Sequence, residues 1–247
     1  MQQTVKYLFA ILLVCLLSSS VLAAETEDTP RSWADEAELS YVKGSGNSAL
    51  ETLSAKNLFT LIHSDKWKSF LKASALNGKS DGERTTESYT AELRSDYAFS
   101  KRLYTLLLTG WLKDNFAGID ARSYVGLGLV YKVLNGPKHF ISTEAGGDYV
   151  KEEYTDDTQS DFLRGRLFAL YEYRFSKKNK FSQSVEYLYD FDDSKNYNVN
   201  TETALISSLN DYWSMKASYA VKYDNRPVPA TLEKKDAILS MALVLNI

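Results

Sequence analysis

Cysteine is almost missing: the 247 residues hold one, Cys15, with only two histidines and four prolines. Cys15 lies in the apolar run 7–17, after the lone charge of Lys6 and before Ser18-Ser19-Ser20 and Val21-Leu22-Ala23-Ala24. A basic start, a short greasy core and small residues make residues 1–23 a secretory signal peptide, with cleavage expected after Ala23 or Ala24. Lipidation of Cys15 is disfavoured. Val14 is bulky where such a site wants a small residue, and the small residues follow the cysteine instead of preceding it. The exported chain then has no cysteine, which excludes disulfides, thiol catalysis and Cys-based metal sites. Run 7–17 is also too short for a spanning helix, and no other stretch approaches that length. Charge of one sign is lacking too. The 29 basic and 32 acidic residues give −3, one unit more negative without Lys6, and no electrostatic footprint for nucleic acid.

So few histidines restrict catalysis. His63 and His139 fall in two tight connections, and Ser142, three residues past His139, points to the opposite face of a strand. A nucleophile and its base are therefore not brought together, and an outer-membrane lipid-modifying enzyme is the least favoured reading. Neither histidine has His or Cys partners for zinc, so no metal and no cofactor is expected. The acidic stretch Glu152-Glu153-Tyr154-Thr155-Asp156-Asp157 with Asp161 offers the oxygen ligands that calcium or magnesium prefers. Its spacing matches no dedicated calcium loop, and a solvated surface loop is the simpler account.

What the chain does have is alternation. Val125, Leu127, Leu129, Tyr131 and Val133 are apolar, with Gly126, Gly128, Val130 and Lys132 between them. Asn135-Gly136-Pro137 reverses the chain, and Ile141, Thr143, Ala145 and Tyr149 then face away from Ser142, Glu144, Gly146 and Asp148. Period two with one apolar and one charged face predicts a hairpin of a membrane barrel, apolar outward and polar inward. About twelve such runs follow one another through residues 37–247. The first is expected at 37–43, the third and fourth at 67–77 and 87–98, and the last at 234–247. The fold class is thus an all-β, antiparallel up-and-down transmembrane β-barrel. Residues 24–36 read as an acidic periplasmic tail. Tight turns alternate with longer polar loops, the longest expected at 77–86, 151–159 and 225–233, as in barrels with short turns on one side and loops on the other. A soluble β-sandwich is the rival. It is weakened by strands longer than the usual five or six residues and by so few glycines and prolines.

The even-numbered positions hold the charges, and those expected to line the lumen are Lys72, Glu92, Arg94, Lys132, Glu144, Arg164, Arg166, Glu172 and Glu186. Acids and bases are nearly equal in number, which points to cross-strand pairs filling the interior, more than to an anion path along Arg164, Arg166 and Arg174. Twelve strands lie between the filled eight-stranded barrels and the open porins. Many of the seventeen tyrosines fall near strand ends on the outward face, where a ring with a polar tip suits a headgroup region.

Several stretches resemble a family, the YdiY-like salt-induced outer-membrane proteins, which carry a domain of unknown function. The residues are Gly44-Ser45-Gly46-Asn47-Ser48; Ala117-Gly118-Ile119-Asp120-Ala121-Arg122 with Gly126 and Gly128; and Glu144-Ala145-Gly146 with Tyr149-Val150. Glu152-Glu153-Tyr154-Thr155-Asp156, Asn200-Thr201-Glu202-Thr203, Tyr223-Asp224-Asn225 with Pro227 and Pro229, and Lys234-Lys235-Asp236 complete the set. The resemblance spans essentially the whole exported chain. It implies a porin-like outer-membrane barrel of a Gram-negative cell, of structural or salt- and osmotic-stress-associated role, and no reaction. The alternative is a narrow channel for small ions or osmolytes. Expected partners are outer-membrane lipids and lipopolysaccharide, the barrel insertion machinery, and a small solute or ion if the lumen conducts. The outward stripe ends on Leu245 and Ile247, aliphatic where barrels usually carry an aromatic residue.

Overall fold

The computed structural model describes residues 32–44 and 50–247. Twelve strands are present among them: β1 Trp33–Gly44, β2 Leu50–Ile62, β3 Trp67–Ser80, β4 Glu83–Ala98, β5 Leu103–Asp114 and β6 Ile119–Asn135. They continue as β7 His139–Tyr154, β8 Gln159–Arg174, β9 Asn179–Asp190, β10 Tyr197–Ser208, β11 Trp213–Asp224 and β12 Lys235–Asn246. Every strand is antiparallel to its sequence neighbours, and β12 returns to β1 to close the barrel. Closure removes the free edges that an open sheet would expose.

The alternation settles which face is which. Leu127, Leu129, Leu163, Leu167, Leu239 and Met241 stand on the exposed outer surface, whereas Glu144, Asp148 and Arg164 are buried. Aromatic residues gather at both ends of the wall. Toward the tight turns, His63 stacks on Trp67 at 4.3 Å and His139 on Tyr173 at 4.8 Å; toward the loops, Tyr187, Tyr189, Tyr197 and Tyr223 form a run of ring contacts. Two aromatic collars around an aliphatic band is the layout of a wall that meets two headgroup layers.

Four of the five tight turns are built alike. In His63-Ser64-Asp65-Lys66, Phe99-Ser100-Lys101-Arg102 and Phe175-Ser176-Lys177-Lys178, the serine hydroxyl accepts from the backbone N–H groups two and three residues on. Asn210 does the same in Leu209-Asn210-Asp211-Tyr212. Such side chains satisfy N–H groups that the ladder leaves unpaired.

Three expectations are corrected. β1 starts at Trp33, so residues 33–36 of the expected tail pair with Leu61 to Leu58 in the wall. The signal peptide, its cleavage site and residues 24–31 lie outside the described residues. The expected loop 77–86 is instead an extension of two strands, closed by Asp81 and Gly82 with φ of 52° and 84°. An Asp-Gly pair with two positive φ values closes a two-residue hairpin without splaying the strands. Finally, the inner face is not charged throughout. Leu106, Leu108 and Val130 form a buried cluster with Tyr104 and Tyr124 packed on it, because β5 runs Leu106-Leu107-Leu108 without alternating.

Candidate functional site, a charge-paired lumen

All nine expected lumen charges are side chains of even-numbered strand positions, and most meet each other. Glu144 is the hub. Its Oε1 accepts from Arg94 Nη1 at 2.8 Å and its Oε2 from Arg166 Nη1 at 2.6 Å. Arg94 in turn grips Asp96 at 2.6 and 2.8 Å, and Arg166 Nε donates to Glu186 at 2.7 Å. Glu186 also accepts from Asn200 at 3.0 Å. One chain of charge-assisted bonds thus runs from β4 to β10. Because β5 and β6 separate β4 from β7, the Arg94–Glu144 bond crosses the inner face instead of following the wall.

The other members take partners nearer by. Glu92 accepts from Lys72 at 3.2 Å and from the Tyr124 hydroxyl at 2.8 Å. Glu92, Gly110 and Tyr124 lie in one cross-strand row, and a Cβ on Gly110 would collide with the Tyr124 ring. The absent side chain is what lets the phenol reach the carboxylate. Arg164 pairs with Asp148, both buried. Glu172 holds Lys180 at 2.9 Å and Arg174 at 3.5 Å. Lys132 has a tyrosine for a partner: its Nζ donates to the Tyr104 hydroxyl at 2.7 Å and sits 4.2 Å from that ring's centre.

Sequence reasoning missed a second network. Lys56 bridges Glu38 at 3.3 Å and Glu202 at 3.7 Å, and Lys216 bridges the same two acids at 3.0 and 2.9 Å. The four residues form a ring of alternating sign drawn from β2, β1, β10 and β11. Even-numbered parity marks Glu38 and Lys56 as inward, but nothing local announces that β2 faces β10. Also missed were Asp114 and the Arg122–Glu152 pair, which Tyr154 joins through Glu152. Asp114 accepts from Lys222 at 3.3 Å, and β5 and β11 are opposite each other in the strand order, so this pair spans the barrel.

The loop 225–234 folds over the same end. Asn225 bonds to the carbonyls of Tyr197 and Lys195, and Arg226 pairs with Asp193. From there the loop reaches across to the β5–β6 turn, where the Val228 carbonyl occupies the place a Cβ on Gly118 would take. Beneath it lies a cavity of about 290 Å³ lined by Glu92, Arg122, Arg164, Lys222 and Leu232 among others. A cavity of about 320 Å³ sits at the turn end around Lys216 and Arg174, and the two share no lining residue.

The remaining expectations can be placed. In the acidic stretch, Glu152 turns inward to Arg122, Tyr149 bonds to Asp161 at 2.5 Å, and Asp156 accepts from Thr158. The Thr158 bonds hold the Asp156 carboxyl below its ordinary range. No group of acids or histidines among the described residues is arranged to hold a metal ion. His63 Nε2 lies 2.9 Å from Ser69 Oγ, and among the described residues no acidic side chain hydrogen-bonds that ring. His139 meets the Tyr171 hydroxyl at 3.0 Å, with Ser142 buried on the other face.

A closed antiparallel wall, aliphatic outside between two aromatic collars and ion-paired inside, defines a twelve-stranded barrel of the outer-membrane type. Solved structures agree on the fold. The outer-membrane channel COG4313 from Pseudomonas putida F1 superposes with a TM-score of 0.56 at 10% identity, covering 92% of this chain and 100% of that one. The NanC porin gives 0.51 at 9% identity over 86% and 97%. The translocator domain of the autotransporter NalP from Neisseria meningitidis gives 0.50 at 10% over 99% and 96%. The sequence itself matches a family model, "Protein of unknown function, DUF481", over residues 37–247. The chain belongs to that family. It is also 28% identical to the uncharacterized protein YdiY of Escherichia coli (strain K12) over 204 residues, 82% of this chain and 79% of that protein.

Proposed function

We propose that this protein is an outer-membrane barrel, exported through its N-terminal signal, whose lumen is held shut and whose role is structural, in an envelope under salt or osmotic stress. The observation that carries this reading is the set of ion pairs between strands that are not neighbours: Arg94–Glu144, Lys56–Glu202, Lys216–Glu38 and Lys222–Asp114. Lys222–Asp114 joins strands on opposite sides of the barrel, and the other three reach over one to three intervening strands on the inner face. The loop 225–234 adds a cover at one mouth. The fold likeness to outer-membrane barrels and the two aromatic collars support the location.

Planar-bilayer recording on the refolded protein is the test. The expected trace is quiet, with no stable step. A variant lacking loop 225–234 and carrying Lys222→Met is expected to show small, brief openings. Long-lived, large steps from the unmodified protein would overturn the closed-lumen reading. They would favour the second one, a narrow channel for small ions or osmolytes, which the cavity at each end of the lumen supports. Growth of a deletion strain at high salt checks the stress role separately.

A further inference from the structure

We propose that the turn-end mouth of the barrel is a binding vestibule for a small, multiply charged anion bearing phosphate or carboxylate groups. The cavity there, about 320 Å³, is lined by five cationic side chains and two acidic ones. Lys216 lies at its inner side, neutralised by Glu38 and Glu202. Arg174 and Lys180 share Glu172. Lys177 and Lys178, exposed on the β8–β9 turn at its lip, have no acidic partner among the described residues. Lumen cations such as Arg94, Arg166 and Lys216 are each held between two carboxylates, so a pair of uncompensated lysines beside a concave surface is a different arrangement.

The geometry of the turn makes the lysines available. Ser176 accepts from the Lys178 and Asn179 backbone N–H groups at 3.2 and 3.1 Å, fixing the turn while leaving both side chains free. Asn210 also borders the space, while the Asn179 and Asn246 amide nitrogens donate to Ser176 and to Tyr212 and Ser214. The acids Glu36 and Asp211 are fewer than the five cations. The wider field has the same sign. Lys66, Lys101, Arg102 and Lys138 stand in the other turns at this end, in no ion pair among the described residues and with Asp65 as the acid among them, while Asp156, Asp157, Asp192 and Asp193 crowd the loop end. Such a gradient along the barrel axis concentrates anions at the turn mouth. The ligand chemistry has two sources, a free anion or the phosphate of a lipid headgroup in the facing leaflet.

The repeated turn supplies its own control, because Lys101 and Arg102 occupy the positions of Lys177 and Lys178 in a turn that lines no part of this cavity. The full barrel, folded in zwitterionic micelles at low salt, would be titrated with inorganic pyrophosphate by calorimetry. The expected result is saturable binding that weakens at least about tenfold, roughly 1.4 kcal/mol, in Lys177→Gln/Lys178→Gln and by less than about twofold in Lys101→Gln/Arg102→Gln. Circular dichroism and gel heat-modifiability establish that both variants fold. Equal weakening in both would mean diffuse rim charge and would overturn the site, as would the absence of saturable heat in the parent protein. A second arm repeats the titration in nanodiscs with and without phosphatidylglycerol. Loss of apparent pyrophosphate affinity in the anionic discs assigns the site to headgroup phosphate, and unchanged affinity assigns it to a free anion. The result does not depend on whether the lumen conducts.

Discussion

Glu144 is shared by two guanidinium groups, and little water reaches it. Taking one partner from a buried pair leaves an uncompensated charge, at a cost of about 3–5 kcal/mol. Arg94→Ala does this to Asp96, which has no second ion pair among the described residues, and is expected to approach that range by urea unfolding in lipid vesicles. Glu144→Ala should cost less, because Arg94 keeps Asp96 and Arg166 keeps Glu186. A cost for Glu144→Ala above that of Arg94→Ala would mean that the second carboxylates do not compensate the two guanidinium groups. Gly110 invites a different experiment. Gly110→Ala would push the Tyr124 ring aside and break its bond to Glu92, and Tyr124→Phe removes the same bond. Each is expected to cost about 1.5–3 kcal/mol, typical of a hydrogen bond to a charged group. The double variant should cost little more than either alone, which a double-mutant cycle measures directly.

Among the elements, the seam between β1 and β12 is the thinnest join. Its register runs only from Glu36 to Leu39 opposite Asn246 to Leu243, with Asp35 and Ile247 exchanging two further backbone bonds. By contrast β6 and β7 pair along almost their whole lengths, and a Cβ on Gly128 would lie 2.8 Å from the Ala145 carbonyl oxygen, so tightly do they approach. Local opening follows such differences in pairing. Amide hydrogen exchange is therefore expected to be faster along the seam than at Val125–Tyr131 of β6. Equal protection in the two would mean that the seam extends further than its register indicates.

For the molecule as a whole, the sorting of side chains to two surfaces is the feature that most needs a direct probe. Spin labels at Leu127 or Leu167, both prominent on the outer wall, should be relaxed by oxygen dissolved in lipid and protected from a water-soluble nickel reagent. Labels at the rim residues Lys101 or Lys177 should show the reverse. Water accessibility at Leu127 in native membranes would be incompatible with a lipid-facing wall.

Strand number, strand polarity and the identity of the two faces were legible from residues alone, because a two-residue period is a local property and each run carries its own copy of it. Residues 123–150 illustrate this: the Asn-Gly-Pro reversal and the alternating stripe mark the β6–β7 hairpin, although neither announces the one-residue register shift between Lys132 and Leu134. Asp81-Gly82 was legible as well, as a hairpin signal that the polar setting of 77–86 obscured. The contacts that bridge non-neighbouring strands inside the barrel were not legible. Lys222 lies 108 residues from Asp114, and Lys216 lies 178 from Glu38. Parity gives only the face for such residues, and which strands meet across the interior depends on closure and on the tilt of the whole wall. The turn-end vestibule has the same origin, since Arg174, Lys178 and Lys216 come into one space only when the sheet curls back on itself.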